Sequence, residues 1–236
     1  MAKASQQTEE KNGDPSYACL SSKNGMGGFA QIENDAIMLC LQSGEKSQTN
    51  KPSGRSLAAH MLSSWVGLAG NKSPLSQSDA LLDQAIRYFA KNVNNEERTD
   101  VDRCHLRLRD EGAIDLLCRG TVYLAVVNAD EGDDASAWCE RRSQIQRIPE
   151  GLWSLSELTE RNYSCKMEGL SCFVVLMVGR IWRYLSTAML AQACAECRND
   201  IQGAVERIAE SARLAGCEEG YSIALVKCNC ARKELT

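Results

Sequence analysis

The chain has 236 residues and a formal net charge of −4, with 44% hydrophobic and 25% charged residues, a globular composition that excludes a disordered chain. A pI near 5.4 and the lack of any long Lys/Arg run exclude a general binder of nucleic acid or of anionic membrane. The longest apolar run, residues 172–178, falls far short of the ~20 residues that a membrane-spanning helix needs.

The first twelve residues are polar and lack the apolar core of a secretory signal. Together with that start, the twelve cysteines read as reduced thiols, several of them in the core, of a cytoplasmic or nuclear protein. Residues 1–15 read as a disordered lead, 16–230 as one domain and 231–236 as a tail.

Short strands are expected at 17–21 and 29–32, separated by the Gly25-Met26-Gly27-Gly28 turn. Residues 33–35 read as another turn, and the apolar run 36–41 as a strand. A polar loop covers 42–54. Leu57, Met61, Leu62 and Trp65 recur at helical spacing. A second helix, capped by Ser78 or Asp79, carries the stripe Leu82, Ala85, Ile86 and Phe89 and fades into the charged stretch 94–102. Two strands, 113–118 and 121–127, follow with the hairpin-like junction Arg119-Gly120. Residues 130–134 form an acidic turn, 135–148 continue in strands, and 149–169 are mostly loop.

The continuous apolar run 173–178 predicts a strand buried on both faces. Helices are expected at 187–198 and 201–215, the second closed by Gly216, before a final strand at 221–227. Strands, a helix pair, strands, a second helix pair and a last strand indicate one α+β domain whose sheets are covered by helices.

The common catalytic constellations are absent. His60 lies in a helical pattern and His105 in a charged segment, neither beside a nucleophile motif, so both read as structural or surface groups. The 25–28 glycines do not open a helix and so do not make a phosphate cradle. The acidic turn at 130–134 lacks the alternating ligands of a calcium loop. Cys194 and Cys197 fall in a predicted helix and Cys228 and Cys230 end a predicted strand, contexts that do not suit a zinc turn.

The strongest pattern is one of ordered segments. The apolar strand at 173–178 runs into Gly179-Arg180-Ile181-Trp182-Arg183, and two helices later Gly216-Cys217-Glu218-Glu219-Gly220 leads into the last strand. Upstream, residues 120–130 place an apolar strand before Asn128-Ala129-Asp130, and residues 17–25 and 36–44 form two further strand-like segments. This succession resembles the metal-dependent serine/threonine phosphatases of type 2C, over residues 16–228. In that family an apolar strand enters Asp-Gly-Ile/Leu-Trp-Asp, and a late Gly-Ser-x-Asp-Asn precedes the terminal strand. The resemblance implies a central β-sandwich of two antiparallel sheets flanked by helix pairs, four layers in all.

The family hydrolyses phosphoserine and phosphothreonine with a pair of Mg²⁺ or Mn²⁺ ions, which need carboxylates to offset their charge. By the resemblance, the Asp of Asp-Gly-His-Gly-Gly falls on Gln42, within Gln42-Ser43-Gly44. The Asp of Asp-Gly-Ile-Trp-Asp falls on Gly179, its Gly on Arg180 and its second Asp on Arg183. The late Asp-Asn becomes Glu219-Gly220, and the phosphate-binding Arg falls near Gly27. Carboxylates are lost and two arginines gained, so the resemblance implies a degenerate member without metal or other cofactor. Such a domain is expected to act by binding a protein partner, a kinase or a phosphoprotein. The alternatives are a metal-free phosphate reader using Arg180 and Arg183, aided by Lys46 or Arg55, and a residual phosphatase with Glu33, Asp35 and Asp130 as rearranged ligands. The bland role for the two arginines is a solvated rim or a salt bridge to Glu219.

Overall fold

The computed structural model describes residues 16–22, 26–32, 35–41, 62–63, 65–66, 74–92, 101–109, 114–128, 144–154 and 171–229. Ten strands fall within them: β1 (Ser16–Ser21), β2 (Gly27–Ile32), β3 (Asp35–Leu41), β4 (Val101–Leu108), β5 (Ile114–Arg119), β6 (Val122–Asn128), β7 (Gln144–Ile148), β8 (Gly151–Ser154), β9 (Ser171–Gly179) and β10 (Tyr221–Asn229). The helices are α1 (Leu75–Asn92), α2 (Thr187–Glu196) and α3 (Ile201–Leu214), with a 3-10 turn at Ile181–Tyr184.

The strands form two five-stranded sheets, β1-β10-β9-β6-β7 and β2-β3-β4-β5-β8, paired antiparallel throughout. Period-2 alternation assigns each residue to a layer. On β9, Val174, Leu176 and Val178 enter the core between the sheets, while Phe173, Val175 and Met177 face α2 and α3. On β3, Ala36, Met38 and Cys40 face the other sheet, while Ile37, Leu39 and Leu41 pack with Leu62, Trp65 and Leu82 in the helical layer. The α+β sandwich expected from the sequence is therefore present, with helices on both outer faces.

The second helix pair forms as the sequence indicates. Asp200 caps α3 by accepting the Gly203 N–H at 2.9 Å. At its other end Gly216 has φ +89 and donates to Arg213 O, while Cys217 donates to Ala212 O, closing the helix in a Schellman arrangement.

Several local expectations change. Gly27 and Gly28 lie inside β2 rather than in a turn, because β2 pairs with β3 from Gly27↔Cys40 onward. Helix α1 begins at Leu75, so Ser78 and Asp79 sit within it and are not its caps. Their side chains are taken by tertiary partners: Trp65 Nε1 donates to Ser78 Oγ at 2.6 Å, and Arg103 Nε donates to Asp79 Oδ1 at 2.6 Å. The 94–102 stretch runs into β4, a central strand that its charges concealed. Strands β5 and β6 do not form a hairpin, because they belong to different sheets. The chain crosses between them at Gly120, with φ +74, and buried Asp102 accepts the Thr121 N–H at 2.7 Å. A short edge strand, β8, lies within the expected loop. Of the first helical pattern, Leu62, Ser63, Trp65 and Val66 are helical. Residues 1–15, 42–54, 129–143, 155–170 and 230–236, with His60, lie outside the described residues.

Candidate functional site

The site indicated by the sequence lies where the ends of β3 and β9 meet the starts of β2 and β10. Gly179 closes β9 opposite Tyr221 in the register and has φ +90, a conformation that favours glycine. A Cβ added there would lie 2.7 Å from Gly220 O and 2.8 Å from Cys40 Sγ. Gly27 is the register partner of Cys40. Gly27, Gly179 and Gly220 therefore converge, and Glu219 and Arg180 flank them in sequence.

The convergence centres on Cys40, which the sequence reading passed over as one residue of a buried strand. Gln42, Ser43 and Gly44 lie outside the described residues, and the β3 side chain that meets Gly179 belongs to Cys40. Asp102, its register partner on β4, is the second residue missed. No local signal marks either one; pairing across three strands brings them to the site.

The electrostatics follow from burial. Cys40 is 3% exposed, and its thiol is pushed up to about 12, first by burial and then by Asp102 and Glu219, against the pull of Arg180. Glu219 Oε2 is buried without a hydrogen-bond partner among the described residues. The Tyr184 phenol is raised, chiefly by the Glu219 charge. Arg180 precedes the 3-10 turn and Arg183 lies within it, both exposed. Arg183 sits 5.6 Å from the centroid of the Trp182 ring, which stacks on Tyr123 at 4.2 Å. Among the described residues neither arginine forms a salt bridge, to Glu219 or to any other carboxylate.

Two hard divalent ions require an array of oxygen ligands. Among the described residues the site offers the Glu219 carboxylate, an Asp102 carboxylate that accepts a backbone N–H, a thiol held protonated, three glycines without side chains and a nearby guanidinium. That donor set does not fit a two-ion centre. Among the described residues no three His, Cys, Asp or Glu side chains form a group that could hold a metal ion. Of the rearranged ligands, Asp35 lies at the far end of β3 from Cys40 and takes Arg107 Nε at 2.6 Å and Nη2 at 2.5 Å. Glu33 and Asp130, like Lys46 and Arg55, lie outside the described residues.

A second polar cluster is buried between α1 and the outer face of β4. Arg103, with an 8% exposed side chain, donates through Nε to Asp79 at 2.6 Å and through Nη2 to Asp83 at 2.5 Å. Arg119 Nε lies 3.4 Å from Asp79 Oδ2. His105 Nε2 lies 3.2 Å from Asp79 Oδ1 but misses hydrogen-bond alignment, so that contact is electrostatic. Burial lowers the His105 pKa against the opposing pull of Asp79. The Asp79 carboxyl is held well below the usual carboxylate range: burial opposes this, but His105 and Arg103 outweigh it. His105 is thus a core group, as its lack of a nucleophile partner implied.

No protein-family model and no curated protein matches the sequence. Solved structures do match. The PPM Ser-Thr phosphatase MsPP from Mycobacterium smegmatis, in complex with cacodylate, superposes with a TM-score of 0.58 at 12% identity over 91% of this chain and 98% of its own. The Mycobacterium tuberculosis serine/threonine phosphatase PstP/Ppp gives 0.57 at 10% identity over 92% and 99%. The S. agalactiae serine/threonine phosphatase gives 0.54 at 13% identity over 90% and 98%. The chain therefore has the fold of the type 2C phosphatases, as the ordered segments implied. No described helix is long and apolar enough to cross a membrane.

Proposed function

We propose that this protein is a catalytically inactive domain of the type 2C phosphatase fold that acts by binding, as a scaffold or regulator in phosphorylation signalling, with a kinase or phosphoprotein as partner. The observation that carries this reading is the convergence of Gly179, Gly220 and the protonated Cys40 thiol, with Arg180 close by, where metal-assisted hydrolysis needs ionised oxygen ligands. The test is hydrolysis of a phosphothreonine peptide by the purified chain with millimolar Mn²⁺, together with calorimetric titration of Mn²⁺. No turnover and no heat of binding are expected. Turnover that disappears in Glu219→Ala would overturn the proposal.

A second reading, a metal-free reader of phosphorylated peptides, is favoured by Arg180 and Arg183, two exposed arginines three residues apart at the 3-10 turn. Among the described residues neither guanidinium forms a salt bridge with Glu219, and guanidinium pairs suit phosphoryl oxygens. Titration of phosphorylated and unphosphorylated forms of one peptide against the wild type and Arg180→Glu/Arg183→Glu separates the readings. Equal affinity across all four pairings ends the second one.

A further inference from the structure

We infer that the place of the missing ion pair is not an open cleft short of ligands but a closed seam, in which glycine backbones have taken the space, so that returning carboxylates does not return metal binding.

The seam is visible at three glycines. A Cβ at Gly27 would lie 1.9 Å from Tyr221 O, which puts β2 backbone directly against β10 backbone. At Gly179 it would meet Gly220 O at 2.7 Å and Cys40 Sγ at 2.8 Å. At Gly220 it would meet Met26 Cβ at 2.3 Å. All four contacts are too short for a side chain to coexist with them, and those with Tyr221 O, Cys40 Sγ and Met26 Cβ run between the two sheets.

One buried hydroxyl bonds across the same seam. Ser222, fully buried on β10, places its Oγ 2.9 Å from Gly28 O and 2.8 Å from Leu39 O, so one hydroxyl proton serves carbonyls on both β2 and β3. Within the sheets the ladders run up to this seam: beside β1 and β10, Ser22 N donates to Tyr221 O at 3.0 Å and Tyr221 N to Ser22 Oγ at 3.2 Å. Beside β2 and β3, Leu41 N donates to Met26 O at 2.8 Å. The Cys40 thiol fills the gap between β3 and the end of β9. An aspartate at position 179 would have to adopt φ +90 and displace both a carbonyl and that sulfur.

The inference goes beyond the proposed function, which concerns what the wild-type chain does. It concerns whether the site is recoverable, and its test is independent of turnover. Gly216 supplies an internal control: its φ of +89 matches the +90 of Gly179, yet nothing lies within 4 Å of its added Cβ. Gly216→Ala therefore reports left-handed strain alone, and Gly179→Ala reports the same strain plus the seam contacts. Thermal unfolding is expected to show a Tm loss for Gly179→Ala more than double that for Gly216→Ala. Equal losses would overturn the inference. The second arm is Gly179→Asp and Cys40→Asp/Gly179→Asp, each unfolded and refolded with and without millimolar Mn²⁺. No Mn²⁺-dependent rise in Tm and no Mn²⁺-dependent recovery of folding are expected. Either effect shows that the space remains open to an ion and refutes the seam. Absence of turnover in the wild type leaves this test untouched, and turnover there leaves the glycine comparison readable.

Discussion

The ion pair that fastens α1 to β4 can be broken with a nearly isosteric change, Asp79→Asn. The carboxylate, with a 4% exposed side chain, receives Arg103 Nε at 2.6 Å and has His105 Nε2 3.2 Å away. Removing one partner of a buried pair costs about 3–5 kcal/mol, because the other charge is left uncompensated. Asp83 stays 2.5 Å from Arg103 Nη2 and is 42% exposed, which places the loss at the low end, about 3 kcal/mol. At roughly 2–4 °C per kcal/mol for a chain of this size, Tm falls by about 6–12 °C. Urea unfolding followed by tryptophan fluorescence is a suitable assay, since Trp65 is buried in this layer and bonded to Ser78. The double-mutant cycle with Arg103→Met isolates the pair. A loss below about 1 kcal/mol, or coupling below the ~0.5 kcal/mol expected of independent sites, would show that the cluster does not hold the helix. The pH dependence supplies an independent check. The Asp79 carboxyl is depressed in the folded state, burial notwithstanding, by His105 and Arg103. Below about pH 3.9 the unfolded chain binds a proton that the folded chain refuses, so stability falls as pH falls. Asp79→Asn is expected to flatten that acid limb.

His105 titrates in a different window. Its folded pKa is lowered, mainly by burial, so its contribution is complete above about pH 6.5 and is lost as pH falls below that value. His105→Leu is expected to remove the slope that sets in below about pH 6.5 in a stability profile, and an unchanged slope refutes the assignment. Ser222→Ala leaves Gly28 O and Leu39 O without the hydroxyl and costs about 1–3 kcal/mol by chemical denaturation, with β2 amides losing hydrogen-exchange protection before those of β9. Asp102→Ala removes the acceptor of the Thr121 N–H, 2.7 Å away, and is expected to cost a similar ~1–3 kcal/mol and to raise exchange at the β5–β6 crossover. Trp65→Phe deletes the 2.6 Å bond to Ser78 and should cost at least ~1 kcal/mol by the same measurement, whereas exposed Val66→Ala should stay within ~0.5 kcal/mol.

Local pattern carries its information only as far as the next few residues. The apolar runs that form β3, β9 and β10, the helical spacing of α2 and α3, and the Gly216 cap are all legible in the sequence, because each is decided by burial period or by one backbone conformation. Ordered together they also disclosed the sandwich. Gly179, Arg180, Arg183, Glu219 and Gly220 could be placed at the ends of elements for the same reason, since they directly follow strong strands or helices. Strand β4 was not legible. Its Arg103, His105 and Arg107 read as solvated charge, and only tertiary structure supplies Asp79, Asp83 and Asp35 to neutralise them. The β5–β6 junction has a hairpin's length, and nothing within it reveals that Asp102, from β4, holds the turn so that the chain changes sheet.

What the sequence determined alone is therefore which strongly periodic segments are strands or helices and which of their faces are apolar. Tertiary structure decided that Cys40 is the β3 side chain meeting Gly179 and that three glycines bring the sheets together at that end. The physical reason is range. Propensity and periodicity act over a few residues, whereas a contact between residues 40, 179 and 220 exists only once two sheets have stacked and their registers are set.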